Sequence, residues 1–331
     1  MTPPTGIVAA LPGDGVGPEV VAEAERLLAQ VAPGIRVERH LFGGAGIDAA
    51  GDPLPAETLA AARAADAVLL GAVGGPKWDG GARRPEEGLI GLRSELNVYA
   101  NLRPARYGNV DLLIVRELLG GLYYGASGVR DDGTVFDTLE YRPDQVERVA
   151  RRAFELARGR SGRLVSVDKA NVISTSRMWR RVVGGLAADY PDVELTHALA
   201  DSTAMRLVTH AETFDVLVME NTFGDILSDV AAGVAGGLGI AASASLGDGS
   251  GPGVYEPVHG SAPDIAGKGI ANPAAMLRSV AMMLRHSFDD GALADAVDEA
   301  VDAALAAVPT PDLGGTHTTT QVTDHVLAAL A

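Results

Sequence analysis

Residues 214–229 read FDVLVMENTFGDILSD, and this stretch indicates how the whole chain is built. Its first half is a short apolar run with the length of a buried strand, and a helical segment follows directly. The same alternation recurs: the other candidate strands are GIVAALPGDG, DAVLLGAVGG, VDLLIVRE and RLVSVDKANV, and the helical stretches are residues 18–32, 55–65, 144–159, 176–189, 273–287 and 291–307. Strands that alternate with helices predict an α/β fold with a largely parallel sheet.

Polar residues follow the predicted strands at the points where the strands end. In an open α/β sheet, ligands bind outside the carboxyl ends of the strands. The polar residues at these ends are Asp14, Arg116, Glu117, Lys169, Asn171 and Asn221. We therefore expect the functional site to lie among them.

Two aspartates of the opening stretch, Asp225 and Asp229, stand four residues apart and so share one face of a helix. Like charges at this spacing repel each other by roughly 0.2–0.5 kcal/mol on an exposed helix. A divalent cation such as Mg²⁺ would remove the repulsion, because it binds carboxylate oxygens. Alternatively, Asn221 or Thr222 is the N-cap and the acidic residues suit the first turn. This segment alone leaves both interpretations open.

The composition limits the function classes. The chain has 331 residues, 47% of them hydrophobic, which suffices for two domains or one large α/β unit. Its formal charge of −16 argues against nucleic acid and anionic membranes as partners. The absence of cysteine excludes disulfides, thiolate metal sites and thiol catalysis. Because we find neither a signal-peptide pattern nor an apolar run of 18 residues, we expect a cytoplasmic protein.

A basic cluster stands out in this acidic chain. Arg93 and Arg103 lie in GLIGLRSELNVYANLRPAR, and Arg116 follows in the next predicted strand. Arginine binds carboxylates in a bidentate manner, so the three could hold a di- or tricarboxylate; the alternative is three surface ion pairs. Leu89 and Ile90 precede Arg93 by one helical turn and could form an apolar wall beside it, or simply pack in the core.

Tyr123 closes a glycine-rich strand end, and its hydroxyl is a candidate general acid. A buried tyrosine more often only hydrogen-bonds a neighbour, and Tyr124 is adjacent, so the sequence leaves this choice open.

Lys169 directly follows an apolar strand, where partial burial would lower the pKa of its amine and make it a candidate base. The alternative is a lysine paired with Asp168. Asp201, in ADSTAMRL, is either a helix N-cap or a third metal ligand.

Two glycine-rich segments could contact a nucleotide. LPGDGVGPEV resembles a phosphate loop, but no G-x-G-x-x-G occurs anywhere in the chain, so the standard Rossmann fingerprint is absent. Residues 255–273, YEPVHGSAPDIAGKGIANP, form a long polar segment with His259, Asp264 and Asn272. These three could bracket an adenosine, with Asp264 on the ribose diol. The alternative is an ordered surface loop.

Together these segments resemble one family. The motifs GDGVGPEV, GAVGGPKWD, GLIGLRSELNVYANLRPAR, RELLGGLYYG, VDKANV, NTFGDILSD and EPVHGSAPDIAGKGIANP occur in the order typical of the isocitrate/isopropylmalate dehydrogenases. These enzymes oxidatively decarboxylate 3-isopropylmalate, isocitrate, homoisocitrate or tartrate. The resemblance covers nearly the whole chain and implies a two-domain α/β fold with a dinucleotide site that is not of the Rossmann type.

The resemblance also implies a domain division and an assembly. Residues 1–98 and 236–331 would form an NAD-binding domain that contains both termini. Residues 99–235 would form the dimerisation and metal/substrate domain. The active sites of the homodimer would be shared between its subunits.

The roles that the resemblance implies fall on residues already singled out. Arg93, Arg103 and Arg116 would bind the substrate carboxylates, Tyr123 would be the acid, and Lys169 of the partner subunit the base. Asp225 and Asp229 would hold Mg²⁺ or Mn²⁺. Asp201 of the partner subunit would be a third metal ligand and would also bind the substrate. The apolar substrate group would lie among Glu86, Leu89, Ile90 and Val172 of the partner subunit, and NAD would be bound by His259, Gly260, Ser261, Ala262, Pro263, Asp264, Ile265 and Asn272.

The implied activity is NAD-dependent oxidation of 3-isopropylmalate in leucine biosynthesis, since Leu89 and Ile90 favour an apolar group over a further carboxylate. Related malate derivatives, or metal and nucleotide binding without turnover, are the alternatives. The chain departs from the family in the short link RPARYGNVDLLIVR and in GASGVRDDGTVFDTLEY, where the family has an intersubunit arm. The match at Glu86 is loose because Glu87 adjoins it.

Overall fold

A computed structural model describes residues 4–331. The strands are β1 (Thr5–Gly13), β2 (Gly34–Arg39), β3 (Ala67–Ala72), β4 (Ala100–Tyr107), β5 (Val110–Glu117), β6 (Ser127–Val129), β7 (Val135–Asp137), β8 (Arg163–Asp168), β9 (Glu194–Leu199), β10 (Val216–Met219), β11 (Ala242–Leu246) and β12 (Gly253–Pro257). The helices are α1 (Gly17–Val31), α2 (Gly43–Ala50), α3 (Ala56–Ala64), α4 (Pro85–Glu95), α5 (Pro143–Arg158), α6 (Ser174–Leu186), α7 (Ala200–His210), α8 (Asn221–Val234), α9 (Ala274–Ser287), α10 (Gly291–Ala307) and α11 (Thr319–Ala329).

The chain forms two compact units. The terminal unit runs to Val98 and resumes at Gly236, and the middle unit is Tyr99–Ala235. The ligand roles implied for these two regions stay predictions.

The terminal unit has the strand order β2-β1-β3-β12-β11, in which only the β11–β12 pairing is antiparallel among the described strands. β3 is buried along its whole length, as expected for a strand covered on both faces. α9 packs against α1, α10 and β12, and its residues from Ala274 to Leu284 are almost all buried. This helix is therefore the centre of the terminal unit's core.

The middle unit has the strand order β4-β5-β10-β8-β9, and only β4–β5 is antiparallel among its described strands. β4 and β5 form a tight hairpin, with Asn101 opposite Arg116 and a connection at residues 108–109. Gly108, with φ +59°, starts this connection. A tight hairpin thus accounts for the short link between the two predicted carboxylate-binding arginines.

The expected α/β class with a largely parallel sheet is confirmed. The helical prediction for residues 291–307 coincides with α10, whereas α6 ends at Leu186 and residues 187–189 form a separate 3₁₀ turn. The strand predicted in RLVSVDKANV ends at Asp168, because the Val172 and Ile173 amides donate back to the Lys169 carbonyl and turn the chain. Within residues 4–331, no helix is both long and apolar enough to cross a membrane.

Candidate active site

The helix α8 is capped by Glu220. The Glu220 carboxylate accepts hydrogen bonds from the amides of Thr222 at 3.1 Å and Phe223 at 2.7 Å. The expected N-cap at Asn221 or Thr222 is therefore wrong. Glu220 is buried, and this burial raises the pKa of its carboxyl. Asp225 and Asp229 lie beyond the first turn, at the edge of the buried face of α8, which consists of Asn221, Gly224, Leu227, Ser228, Ala231 and Ala232.

Two arginines meet the aspartate pair. Arg116 makes an ion pair with Asp225, and Arg103 lies 3.4 Å from both Asp225 and Asp229. The arginine side chains are only 10% (Arg103) and 3% (Arg116) exposed, so the surface ion-pair interpretation is wrong for them. Within this chain, guanidinium groups already offset part of the predicted repulsion.

The remaining conflict shows at Asp229. Partial desolvation by the neighbouring side chains raises the pKa of its carboxyl, the Arg103 charge lowers it, and the negative charge of Asp225 raises it further. The site therefore has carboxylate oxygens that a cation would stabilise in their charged form.

Gly224 sets the path of Arg116. A Cβ atom at position 224 would lie 2.5 Å from Cγ of Arg116, so only glycine lets the arginine stem cross α8 this closely. A glycine inside a predicted helix, directly before Asp225, is visible in the sequence. That its close neighbour is Arg116 could not be predicted from the sequence.

Tyr123 lies on the 3₁₀ turn Gly121–Tyr123 and donates a hydrogen bond to Oδ2 of Asp225 at 3.0 Å. Its ring is 5.8 Å from the Arg116 guanidinium. Burial and the charge of Asp225 raise the pKa of the phenol, which keeps it protonated. Tyr123 is half-exposed, so it is not merely a buried tyrosine with a structural bond.

Lys169 and Asp201 form a second cluster in the middle unit. Nζ of Lys169 is 2.6 Å from Oδ1 of Asp201, and the lysine side chain is 25% exposed, which confirms the expected partial burial. The pairing of Lys169 with Asp168 is wrong, since Asp168 accepts two hydrogen bonds from Arg180 at 2.8 Å. The hydrogen bond from Lys169 lowers the pKa of Asp201.

Asp201 does not cap α7, because the N-cap position is Leu199 and Asp201 lies in the first turn. Among the residues that the structure describes, no three histidine or acidic side chains stand close enough to hold a metal ion. Asp201 therefore does not complete a triad with Asp225 and Asp229 of its own chain. Val172, three residues after Lys169, is 65% exposed.

In the terminal unit, α4 carries the predicted apolar wall and Arg93. Ile90 is 41% exposed and Leu89 half-buried, so simple core packing is wrong for Ile90. Arg93 is mostly buried, pairs with Glu256 at 2.5 Å, and has a buried Nε without a hydrogen-bond partner.

The neighbouring glutamates of α4 have different roles. The Glu87 carboxylate accepts hydrogen bonds from the Arg84 amide at 3.0 Å and from the Arg83 side chain, so it is part of the helix cap. The hydrogen bond from the Arg84 amide is the main cause of the lowered pKa of this carboxyl. Glu86 is exposed, and its carboxylate lies over Gly74. Of the two, Glu86 is thus the one whose carboxylate is not part of the helix cap.

A residue that sequence reasoning left without a role, Asp14, organises the glycine loops. Its buried carboxylate accepts from the amides of Gly44 at 2.8 Å, Gly74 at 2.9 Å and Ala45 at 3.0 Å. The Val16 amide donates to the Ser261 carbonyl at 2.8 Å. The loop at residues 13–17 is therefore fastened to residue 261 and to the turn at residue 74.

The predicted cofactor segment is partly exposed. Gly260, Pro263 and Asp264 are exposed, Ser261 and Asn272 are buried, and His259, Ala262 and Ile265 lie between these extremes. Burial lowers the pKa of His259, and its Nε2 is buried without a hydrogen-bond partner. A neutral imidazole with an unused nitrogen is suited to a polar ligand.

Asn272 differs from expectation in its surroundings. Its Oδ1 accepts from the Ala274 amide at 3.0 Å and its Nδ2 donates to Asp312 at 3.1 Å, so the side chain fixes the start of α9. Asp312, in the 3₁₀ turn Pro311–Leu313, is a neighbour that the sequence did not suggest.

The segment at residues 124–142 contains the antiparallel hairpin β6–β7. Val129 and Val135 are opposite each other in it and both are largely exposed. An isolated two-stranded hairpin with exposed valines is marginally stable in water and gains stability when another surface covers it.

Comparisons with known proteins identify the family and the fold. A family model described as isocitrate/isopropylmalate dehydrogenase matches residues 7–326. A 3-isopropylmalate dehydrogenase of Shouchella clausii is 49% identical, over 97% of this chain and 96% of that protein. The crystal structure of isocitrate dehydrogenase from Methylococcus capsulatus has a TM-score of 0.91 and 35% identity, and covers 98% of this chain and 99% of its own. A beta-decarboxylating dehydrogenase of Thermococcus kodakarensis has a TM-score of 0.83 and 39% identity, with coverages of 98% and 96%.

Proposed function

The chain belongs to the isocitrate/isopropylmalate dehydrogenase family, and on this basis we propose that it is an NAD-dependent dehydrogenase that oxidatively decarboxylates 3-isopropylmalate to 2-oxoisocaproate (4-methyl-2-oxopentanoate) in leucine biosynthesis. The observation that carries the proposal is the near-full-length identity of 46% to 3-isopropylmalate dehydrogenase of Listeria innocua and 49% to that of Shouchella clausii. As an enzyme of amino-acid biosynthesis it is expected to work in the cytoplasm.

The choice of an apolar substrate group is supported by α4. Leu89 and the exposed Ile90 precede Arg93 by one turn, so one helix offers an apolar surface and a guanidinium group on adjoining positions. A further carboxylate in place of the isopropyl group would lose its hydration against these side chains without gaining a partner there.

The carboxylates of the substrate are assigned to three arginines. Arg103 and Arg116 lie beside α8 in the middle unit, and Arg93 is held by Glu256 in the terminal unit. All three are largely buried, so their planar guanidinium groups are fixed before the substrate arrives. Fixed donors cost less side-chain entropy on binding than mobile ones.

The donor set fits a hard divalent cation, because Asp225 and Asp229 present carboxylates one turn apart and Asp201 of the partner subunit would supply a third. If bound there, Mg²⁺ or Mn²⁺ would supply Lewis acidity, and NAD⁺ would supply the hydride acceptor.

The proton transfers are assigned to two side chains. In its neutral amine form, Nζ of Lys169 of the partner subunit takes the proton of the C2 hydroxyl and becomes an ammonium, which Asp201 holds in position. The Tyr123 hydroxyl gives a proton to the carbon that CO₂ leaves, a role for which it is placed by its half-exposed position and its hydrogen bond to Asp225.

NAD rather than NADP is proposed from Asp264. Its exposed carboxylate can accept hydrogen bonds from a free ribose diol and would repel a 2′-phosphate. The other proposed contacts to NAD are His259, the loop from Gly260 to Ile265, and Asn272. Asn272 contributes by fixing the start of α9.

A homodimer with shared sites is supported by the separation of two clusters within one chain. Lys169 and Asp201 hold each other, while Tyr123 and Arg116 gather at Asp225. The exposed Val172 adjoins the lysine, where it would reach the isopropyl group in the partner's site.

The test is reduction of NAD⁺, followed at 340 nm, with 3-isopropylmalate, isocitrate, homoisocitrate and tartrate, each with and without Mg²⁺. We expect metal-dependent turnover that is fastest by far with 3-isopropylmalate. Equal or faster turnover of isocitrate would refute the substrate assignment, and metal-independent turnover would refute the roles of the aspartates.

A further inference from the structure

Asn221, the first residue of α8, is a buried junction between the site's parts. Its side chain is 1% exposed, and both of its polar atoms are used. Oδ1 accepts from Nε of Arg116 at 2.9 Å, and Nδ2 donates to the carbonyls of Leu118 at 3.2 Å and Gly120 at 2.9 Å. Because a guanidinium can only donate and a carbonyl can only accept, these partners fix the orientation of the amide.

The groups that Asn221 holds are those of the proposed chemistry. The bond to Nε fixes Arg116, whose Nη1 then points to Asp225. The bonds to residues 118 and 120 fix the backbone that leads directly into the turn Gly121–Tyr123. One amide therefore sets the position of both a carboxylate-binding arginine and the backbone in front of the candidate acid.

The backbone of Asn221 is fixed as well. Its amide donates to the Tyr141 hydroxyl at 3.0 Å, and that hydroxyl donates to the buried carboxylate of Glu117 at 3.0 Å. Asn221 can therefore not follow a displaced Arg116 without breaking this chain of bonds. A fully satisfied buried network of this kind specifies a single arrangement.

We propose that Asn221 is a positioning residue, which touches neither substrate nor cofactor but aligns Arg116 and the Tyr123 turn on α8. Because Arg116 and Tyr123 take their roles from the function proposed above, the role of Asn221 rests on that function. A residue with only a structural role would lower stability without a selective change in substrate binding and turnover.

The experiment compares Asn221→Ala with the wild-type protein in two measurements. Calorimetric titration gives the dissociation constants of 3-isopropylmalate with Mg²⁺ and of NAD⁺, and the NAD⁺ reduction assay gives kcat. Loss of a hydrogen bond to a charged group corresponds to roughly 10- to 100-fold weaker binding of 3-isopropylmalate. We also expect a kcat lower by about 10-fold or more, as for a misplaced general acid, and an unchanged constant for NAD⁺.

Two comparisons separate positioning from stability. Ser166→Ala removes the acceptor of a buried hydrogen bond that the Trp179 indole donates in the same unit, and it should leave both binding constants and kcat unchanged. In an Arg116→Ala background, Asn221→Ala should add less than about 2-fold to the loss of substrate binding, since the residue acts through that arginine. Fully additive effects, or wild-type binding and kcat in Asn221→Ala, would overturn the proposal.

If Asn221→Ala does not fold, Asn221→Asp serves in its place. The carboxylate still accepts from Arg116 but cannot donate to the carbonyls of Leu118 and Gly120, so kcat should fall by about 10-fold or more. A wild-type kcat in this variant would overturn the role in the Tyr123 turn. Failure of the wild-type protein to bind and oxidise 3-isopropylmalate would instead refute the proposed function.

Discussion

Complementation between two inactive variants tests the shared active site. The structure places Lys169 against Asp201 in one cluster and Asp225 with Tyr123 and Arg116 in another. If each site combines one cluster from each subunit, a Lys169→Met homodimer has a defect in both sites, and so has an Asp225→Asn homodimer. Both substitutions nearly keep side-chain length, so the two homodimers should fold and be almost inactive.

A mixed dimer changes this distribution. One of its sites receives both defects and the other receives neither, by the two-fold symmetry of an isologous dimer. Each heterodimer should therefore have about half of the wild-type activity, and random exchange of equal amounts, which gives about half heterodimers, should restore about a quarter.

The assay is NAD⁺ reduction with 3-isopropylmalate and Mg²⁺ after subunit exchange, with the heterodimer isolated by two different affinity tags. The matched control mixes Lys169→Met with Asp201→Asn, two defects in one cluster, which should restore nothing. An isolated heterodimer of Lys169→Met and Asp225→Asn without activity would refute the shared site, while leaving the reaction class intact.

Three further predictions concern single positions. Tyr123→Phe should lower kcat by roughly 10²-fold or more while the dissociation constants of substrate and NAD⁺ change little, because only a proton donor is lost; near-normal steady-state turnover would move the acid elsewhere. Asp264→Ala should narrow the preference for NAD⁺ over NADP⁺ in kcat/KM, and a wild-type protein that prefers NADP⁺ would contradict a carboxylate facing the ribose. Burial raises the pKa of the fully buried Glu117 to about 7 in the folded protein from 4.5, so its contribution to stability is full below pH 4.5 and is lost as the pH rises to about 7. From pH 4.5 to 7 the free energy of unfolding of the wild type should therefore fall by about 3 kcal/mol more than that of Glu117→Gln in urea titrations, and parallel pH curves would contradict this pKa.

Several features followed from the sequence alone because their causes are local. The α10 boundaries, the strand before Lys169 and the α/β class depend on runs and periodicities within a few residues. The spacing of Asp225 and Asp229 put both on one helical face for the same reason. Motif order then indicated the family, which the matching family model confirms.

The contacts of the site were decided by tertiary structure. The partners are far apart in the sequence: Arg93 and Glu256 are separated by 163 residues, Arg116 and Asn221 by 105, and Asp14 and Gly74 by 60. Such pairs depend on strand order and register, which local propensity does not encode.

The aspartate pair shows the difference most clearly. Spacing predicted the repulsion, but not the arginines that offset part of it. Arg103 and Arg116 both reach α8 because of the β4–β5 hairpin. In this hairpin Asn101 of β4 lies opposite Arg116 of β5, and Arg103 follows Asn101 by two residues on β4, so its side chain is on the same face of the sheet. The sequence by itself determined that the two aspartates share a helix face. Only the packing of α8 on the β4–β5 hairpin decided that they meet Arg103 and Arg116, because the partners of a side chain depend on the distances between elements and not on its position within one element.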